Sequence, residues 1–232
     1  MIQFNATYLK HLLPFKAQKH DIRYYLNAVH IAPHEDGGAV LIACNGHTMM
    51  CVRDVSAVCE APTTFSVHAD AARHGAKKRG SVDAVATLDE KTQRLTISDG
   101  QTFEELYLQP GKCLIENSTG LANGYVDWRK VMPPFDRLLP GGADAIDVRY
   151  HELAAKAHPL GKGTARAIRF WQAGPTASLV VEFCDAREFM LIIMPLMSHA
   201  KDPAPHIYWG AAFGKKDAPR APAAKEANLE AA

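Results

Sequence analysis

The sequence lacks the short signatures that would announce catalysis or a bound metal. Its five cysteines, Cys44, Cys51, Cys59, Cys113 and Cys184, are scattered and contain no Cys-x-x-Cys pair. An odd, scattered set argues against a disulfide framework and a four-thiolate zinc site, and it fits a reducing cytoplasm, the expected location. Cys44, His47 and Cys51 are neighbours in sequence, but no fourth ligand is spaced to match them. Gly161-Lys162-Gly163-Thr164 lacks the rest of a phosphate loop, and none of the eleven histidines stands in a Ser-His-Asp or Cys-His arrangement. Neither an enzyme nor a cofactor is expected. No charged-then-apolar leader opens the chain, and the longest apolar run, Phe189 to Met197, is broken by Pro195. That is far short of the roughly 20 residues that cross a bilayer, so no membrane partner is expected. The net charge is only +1, so any affinity for nucleic acid has to come from segregated charge.

What is present is the composition of a soluble globular protein and an internal repeat. The 232 residues are 47% hydrophobic and 22% charged, enough for one large or two small domains. The stretch Asp21 to Met50 reads as a hairpin. Its first strand opens with Asp21-Ile22-Arg23-Tyr24-Tyr25-Leu26-Asn27, and its turn is His34-Glu35-Asp36-Gly37-Gly38. The second strand, from Ala39, passes a kink at Asn45-Gly46 and continues through Val52.

Three segments share one pattern of short strand, polar cap and amphipathic helix. They begin at Ile2-Gln3-Phe4, at Phe65-Ser66-Val67 and at Ile146-Asp147-Val148. Three strands follow each helix, and the break between the second and third falls at Asn45-Gly46, Asp99-Gly100 and Asp185-Ala186. Each unit is therefore strand-helix-strand-strand-strand. The fold class expected is α+β, with helices on one face of antiparallel sheets.

Charge is sorted by element. Tyr8 to His20 carries Lys10, Lys16 and Lys19 with no acid, and Ala71 to Arg79 carries Arg73, Lys77, Lys78 and Arg79 with none. Arg149, Lys156, Lys162 and Arg166 stand against Glu152 alone, while acids gather in strands and turns. Cationic helices suit a phosphate backbone, where neutralised phosphates release counterions and no base is read. The alternative is that surface helices carry Lys and Arg for propensity and solubility.

Four motifs in order carry a resemblance. They are Arg23-Tyr24-Tyr25-Leu26-Asn27, then Ala43-Cys44-Asn45-Gly46-His47-Thr48-Met49, then Val126-Asp127-Trp128-Arg129-Lys130-Val131-Met132-Pro133, and finally Ile192-Ile193-Met194-Pro195-Leu196-Met197. Together they resemble the bacterial DNA polymerase III beta sliding clamp, over roughly residues 1–198. Ala28 stands where that family has Gly, Val126 where it has Pro, and Trp128 where it has Tyr. The resemblance implies a DNA-clamp fold: a complete clamp-type domain at 1–125, a linker at 126–142, half a domain at 143–198 and a C-terminal tail at 199–232. The family's first domain and half of its last have no counterpart here, and this shortened architecture suggests a mobile-element or phage version.

The resemblance also implies the function: a processivity factor that encircles duplex DNA without sequence preference. It would tether DNA polymerase and clamp-loader-type proteins through their short peptides. The helix cations named above would then line the DNA channel. The peptide groove would draw on Cys44, Met49, Val126, Lys130, Val131, Ile192, Met194, Pro195 and Leu196, which otherwise read as core at a domain junction. A clamp ring holds twelve such units and this chain supplies three, so a tetramer is favoured over a dimer or trimer. The rival reading is an adaptor or decoy that binds replication factors and does not encircle DNA.

Overall fold

Two antiparallel sheets account for the alternating apolar segments. The computed structural model describes residues 1–67, 69, 72–73, 83–89, 91, 94–98, 103–107, 125–141, 147–158, 167–174 and 177–194. Met1–Ser198 form one compact unit. The strands are β1 (Ile2–Asn5), β2 (Val29–Pro33), β3 (Ala39–Cys44), β4 (Thr48–Asp54), β5 (Thr63–Phe65) and β6 (Val85–Asp89). They continue with β7 (Arg94–Ser98), β8 (Phe103–Tyr107), β9 (Leu139–Pro140), β10 (Ile168–Gln172), β11 (Leu179–Phe183) and β12 (Phe189–Ile193). Among the described residues, α1 (Tyr8–Leu12) and α2 (Val148–Ala157) are α-helices, and Ala69, Ala72 and Arg73 are helical as well. No helix among the described residues is long and apolar enough to cross a membrane.

The larger sheet has eight strands in the order β5-β2-β3-β4-β12-β11-β10-β9, and the smaller has the order β1-β6-β7-β8. The first two repeat units exchange their lone strands. β1 leaves the first unit to pair with β6 of the second, and β5 leaves the second to pair with β2 of the first. The third unit joins the first edge to edge, with Leu191 opposite Met50 in the β4–β12 ladder.

The core lies between the inner face of the large sheet, the small sheet and the helices. Leu9 and Leu12 of α1, Ala154 and Ala157 of α2, and Phe4 and Leu88 of the small sheet all belong to it. His11 Nδ1 stands 3.2 Å from the Ala157 carbonyl oxygen, which ties α1 to the end of α2 on that same face. A second apolar cluster covers the opposite face of the large sheet, where Ile42, Cys44, Met49, Cys51, Val180 and Ile192 meet Tyr125. Residues 48–52 of β4 are therefore buried on both faces, as befits a central strand.

Local chemistry moved four expected boundaries. The strand expected from Asp21 begins only at Val29, because Asp21 accepts the Arg23 N–H at 2.8 Å and turns the chain into a 3-10 helix at Tyr24–Leu26. Asn45-Gly46 is a hairpin turn between β3 and β4, not a kink within one strand. Gly46 takes φ +86°, and Asn45 Oδ1 accepts the N–H groups of His47 and Thr48. The first helix ends at Leu12 and passes through a 3-10 turn at Leu13–Phe15, so Lys16 and Lys19 lie beyond it. Val148 is helical rather than extended, because the Asp147 carboxylate accepts the Arg149 N–H and caps α2.

Candidate partner groove and helix face

The β4–β12 seam brings most of the expected groove residues together. Cys44, Met49 and Ile192 sit beneath Tyr125, with Val126 and Val131 packed against them. Cys44, Met49 and Ile192 are buried, so they form the floor of the seam rather than its walls. Val126, Val131 and Met194 are half-buried, while Lys130 is exposed and reaches Asp127 at 3.4 Å. Met194 is fixed at the seam's end, since its N–H donates to the His47 carbonyl oxygen at 2.8 Å. Ser178 Oγ donates to the Met194 sulfur at 3.3 Å. Pro195 and Leu196 lie outside the described residues.

Electrostatics in the floor follow burial. The Cys51 thiol is pushed up to about 12 by desolvation, and burial also raises Cys44. The Gly46 N–H donates to Cys44 Sγ at 3.2 Å. Both thiols are therefore neutral apolar surface at ordinary pH. Tyr125 is fully buried and stacks on His30 with ring centroids 5.0 Å apart, which pins the start of the 125–132 segment to the sheet.

Two matching clasps flank the seam, and the sequence reading missed their role. Asp21-Ile22-Arg23-Tyr24 and Asp147-Val148-Arg149-Tyr150 repeat one pattern. In each, the aspartate accepts the backbone N–H and the guanidinium of the arginine two residues on. These hydrogen bonds hold both carboxyl groups at about 2. The His47 ring stacks over Tyr150 at 6.3 Å, and Gly46 lies against the Arg23 guanidinium. The repeated Asp-x-Arg-Tyr string was the available signal.

A cleft of about 320 Å³ opens farther along the same outer face, lined by Phe135, Leu138, Trp171, Val180, Glu182, Arg187, Phe189 and Met190. Trp171 Nε1 donates to Glu182 Oε2 at 3.0 Å, which fixes the indole on one wall. Period-two reading of β10 to β12 would have placed Trp171, Val180, Glu182 and Met190 on this face. Among the described residues, no group of three or more His, Cys, Asp or Glu side chains is placed to hold a metal.

The cations expected to meet DNA fare unequally. Lys10 on α1 and Lys19 in the following loop are exposed. Lys16 is half-buried, its ammonium donates to the Val67 carbonyl oxygen at 3.2 Å, and burial lowers its pKa. Arg73 is exposed. On α2, Arg149 is clasped by Asp147 and Lys156 pairs with Glu152 at 2.7 Å. Exposed ion pairs of this kind contribute little and exchange partners readily. Lys77, Lys78, Arg79, Lys162 and Arg166 lie outside the described residues.

No family model matches the chain, and no curated protein matches it in sequence. Solved structures match its fold. The DNA polymerase III subunit beta of Borrelia burgdorferi superposes on 84% of this chain with a TM-score of 0.57 at 14% identity. The fold is that of a bacterial sliding clamp. The DNA polymerase sliding clamp of Pseudomonas aeruginosa matches 84% of the chain with a TM-score of 0.58 at 15% identity. The Helicobacter pylori beta clamp, solved with a DNA ligase peptide bound, matches 85% with a TM-score of 0.55 at 9% identity. The chain spans just under two thirds of each sliding clamp: 64%, 65% and 66% of their lengths.

Proposed function

We propose that the protein is a clamp-like processivity factor that holds duplex DNA against its helix face and carries replication proteins on its outer seam. In this reading residues 1–125 form a complete clamp-type domain, 126–142 a linker and 143–198 half a domain. Four copies close a ring. The protein acts by binding alone, and its partners are DNA polymerase and clamp-loader-type proteins, which dock through short peptides.

One observation carries the reading. α1 and α2 both pack on the inner face of a sheet that runs unbroken across the first and third units, meeting where His11 approaches the Ala157 carbonyl, and the apolar seam lies on the opposite face. That division leaves Lys10 and Lys156 on the side of the helices, while Arg149 is held by Asp147 in the clasp beside the seam. Pairing of Arg149 and Lys156 with their own carboxylates, and the engagement of Lys16, favour the second reading, an adaptor that binds replication factors without DNA.

Binding of a labelled duplex and of a clamp-binding peptide, each measured against salt, separates the two. On the processivity-factor reading the duplex binds without sequence preference, and log K falls with log[salt]. Reversing Lys10 and Lys156 to Glu removes about two phosphate contacts and lowers that slope by roughly 2, with peptide affinity unchanged. Peptide binding without any duplex binding selects the adaptor. Loss of both overturns the proposal.

A further inference from the structure

α2 is docked through imidazoles. Its buried side chains are Ala154 and Ala157, small apolar anchors for a ten-residue helix, and Tyr150 and Leu153 are only half-buried. Histidines make its ring contacts. At the first turn the His47 ring stacks on Tyr150 at 6.3 Å. His151 meets Phe170 edge-on at 5.4 Å, and His158, which follows the last helical residue, meets Phe183 edge-on at 5.2 Å. From α1, His11 Nδ1 stands 3.2 Å from the Ala157 carbonyl oxygen, and its ring meets Phe189 edge-on at 5.1 Å. An imidazole packs as an apolar ring only while it is neutral, and its charge changes nearest to neutral pH.

The two ends of α2 receive a proton differently. His47 lies among acids. The carboxyl groups of Asp21 and Asp147, held low first by hydrogen bonds from Arg23 and Arg149, are lowered further by the charge of His47. A proton on His47 therefore meets two carboxylates, and the Asp147 cap keeps the first turn in place. His11 lies among cations. Burial lowers its pKa and outweighs the Ala157 carbonyl, and the charges of Lys10 and His158 lower it further. Tyr8 meets the same Phe189 ring and is neutral: burial, then the charges of Asp54, Glu188 and Asp83, push its hydroxyl up to about 12. On α2 itself, Lys156 is paired with Glu152. His158 is 5% exposed, so a charge there is buried too.

We propose that His11 and His158 form an acid-released latch on the C-terminal half of α2. While neutral, their rings hold the helix end against Phe183, Phe189 and α1. When protonated, they place two like charges beside Lys10 in a buried junction, and departure of the helix end relieves them. Two buried alanines oppose that departure weakly, and a ten-residue helix freed from its packing is too short to stay helical in water. The sheet does not follow, because five residue pairs of the β4–β12 ladder join the first and third units and Tyr125 covers the opposite face. The folded pKa of His11 lies below the unfolded value of about 6.5, so the latch is fully closed above that pH and weakens as pH falls towards the folded value. The latch needs neither DNA nor a partner, so it stands apart from the function proposed above.

Hydrogen exchange of the full chain, corrected for the intrinsic rate and compared at pH 7 and pH 5, tests it. In the wild type, residues 153–158 are expected to lose protection several-fold at the lower pH. The loss should shrink in His11→Gln, which keeps a donor for the Ala157 carbonyl and does not titrate, and in His158→Gln. Strands β4 and β12 should behave alike in all three proteins, which separates the latch from acid effects on the whole fold. Lys10→Gln, at an exposed position, should also shrink the loss and carries the test if the histidine variants do not fold. Unchanged protection in the wild type, or an equal loss in the wild type and every folded variant, overturns the latch. A loss that β4 and β12 share in the wild type and not in the variants overturns it too.

Discussion

Acid should loosen the protein at one identifiable residue. His30 on β2 is 4% exposed, its Nδ1 is 2.9 Å from Thr64 Oγ1, and its ring lies within 4° of parallel to Tyr125. Burial, and then the charge of Arg129, push the imidazole down from 6.5 to about 4. The folded state therefore refuses a proton that the unfolded chain takes up below about pH 6.5. Stability from this residue is complete above that pH, declines as pH falls towards 4, and is level below. The gap between 6.5 and about 4 corresponds to roughly 3 kcal/mol, of which about 2 kcal/mol is lost by pH 5. Urea unfolding of the wild type and His30→Gln at pH 8 and pH 5 isolates it, because Gln keeps a hydrogen-bonding group near Thr64 and does not titrate. Carboxylates and other histidines contribute to both proteins and cancel in the difference. The stability advantage of the wild type should shrink by about 2 kcal/mol between pH 8 and pH 5. An advantage that stays constant would refute the assignment of a buried, neutral His30.

Two further substitutions probe the turns at either end of β4. Gly46→Ala would place a methyl 1.9 Å from Arg23 Nη1 at a backbone φ of +86°, so it should cost about 1–2 kcal/mol in urea unfolding and displace Arg23 from Asp21. A fully stable Gly46→Ala variant would contradict that turn geometry. Asp54 is 2% exposed, and its carboxylate accepts the N–H of Asn5 at 2.7 Å and the N–H and hydroxyl of Ser56 at 2.9 and 2.7 Å. Asp54→Ala strands those donors and should cost about 3 kcal/mol, with Asp54→Asn recovering part of it. Equal losses in the two variants would show that volume, rather than hydrogen bonding, holds this corner.

Whatever depends on neighbours in the chain was legible in the sequence: the repeated order of helix and strands, the apolar run of Ala39 to Cys44 as a strand, and the turn at Gly37-Gly38. Alternation of side chains along a strand and the positive φ that glycine tolerates are local properties. Boundaries failed where a side chain overrode the backbone pattern, as at Asp21 and Asp147, whose carboxylates bend the chain by capping the second N–H downstream. Whether Cys44, Met49 and Ile192 are groove wall or core was left open by the sequence. Their burial required β12 to pair with β4, residues some 140 positions apart in sequence, and Tyr125 to close over the seam. Lys16 shows the same limit: a lysine in a basic segment reads as a free cation until the fold brings the Val67 carbonyl oxygen to it. The tertiary structure alone decided which edges meet, because every strand edge offers the same N–H and C=O groups, and only the packing of both faces selects among them.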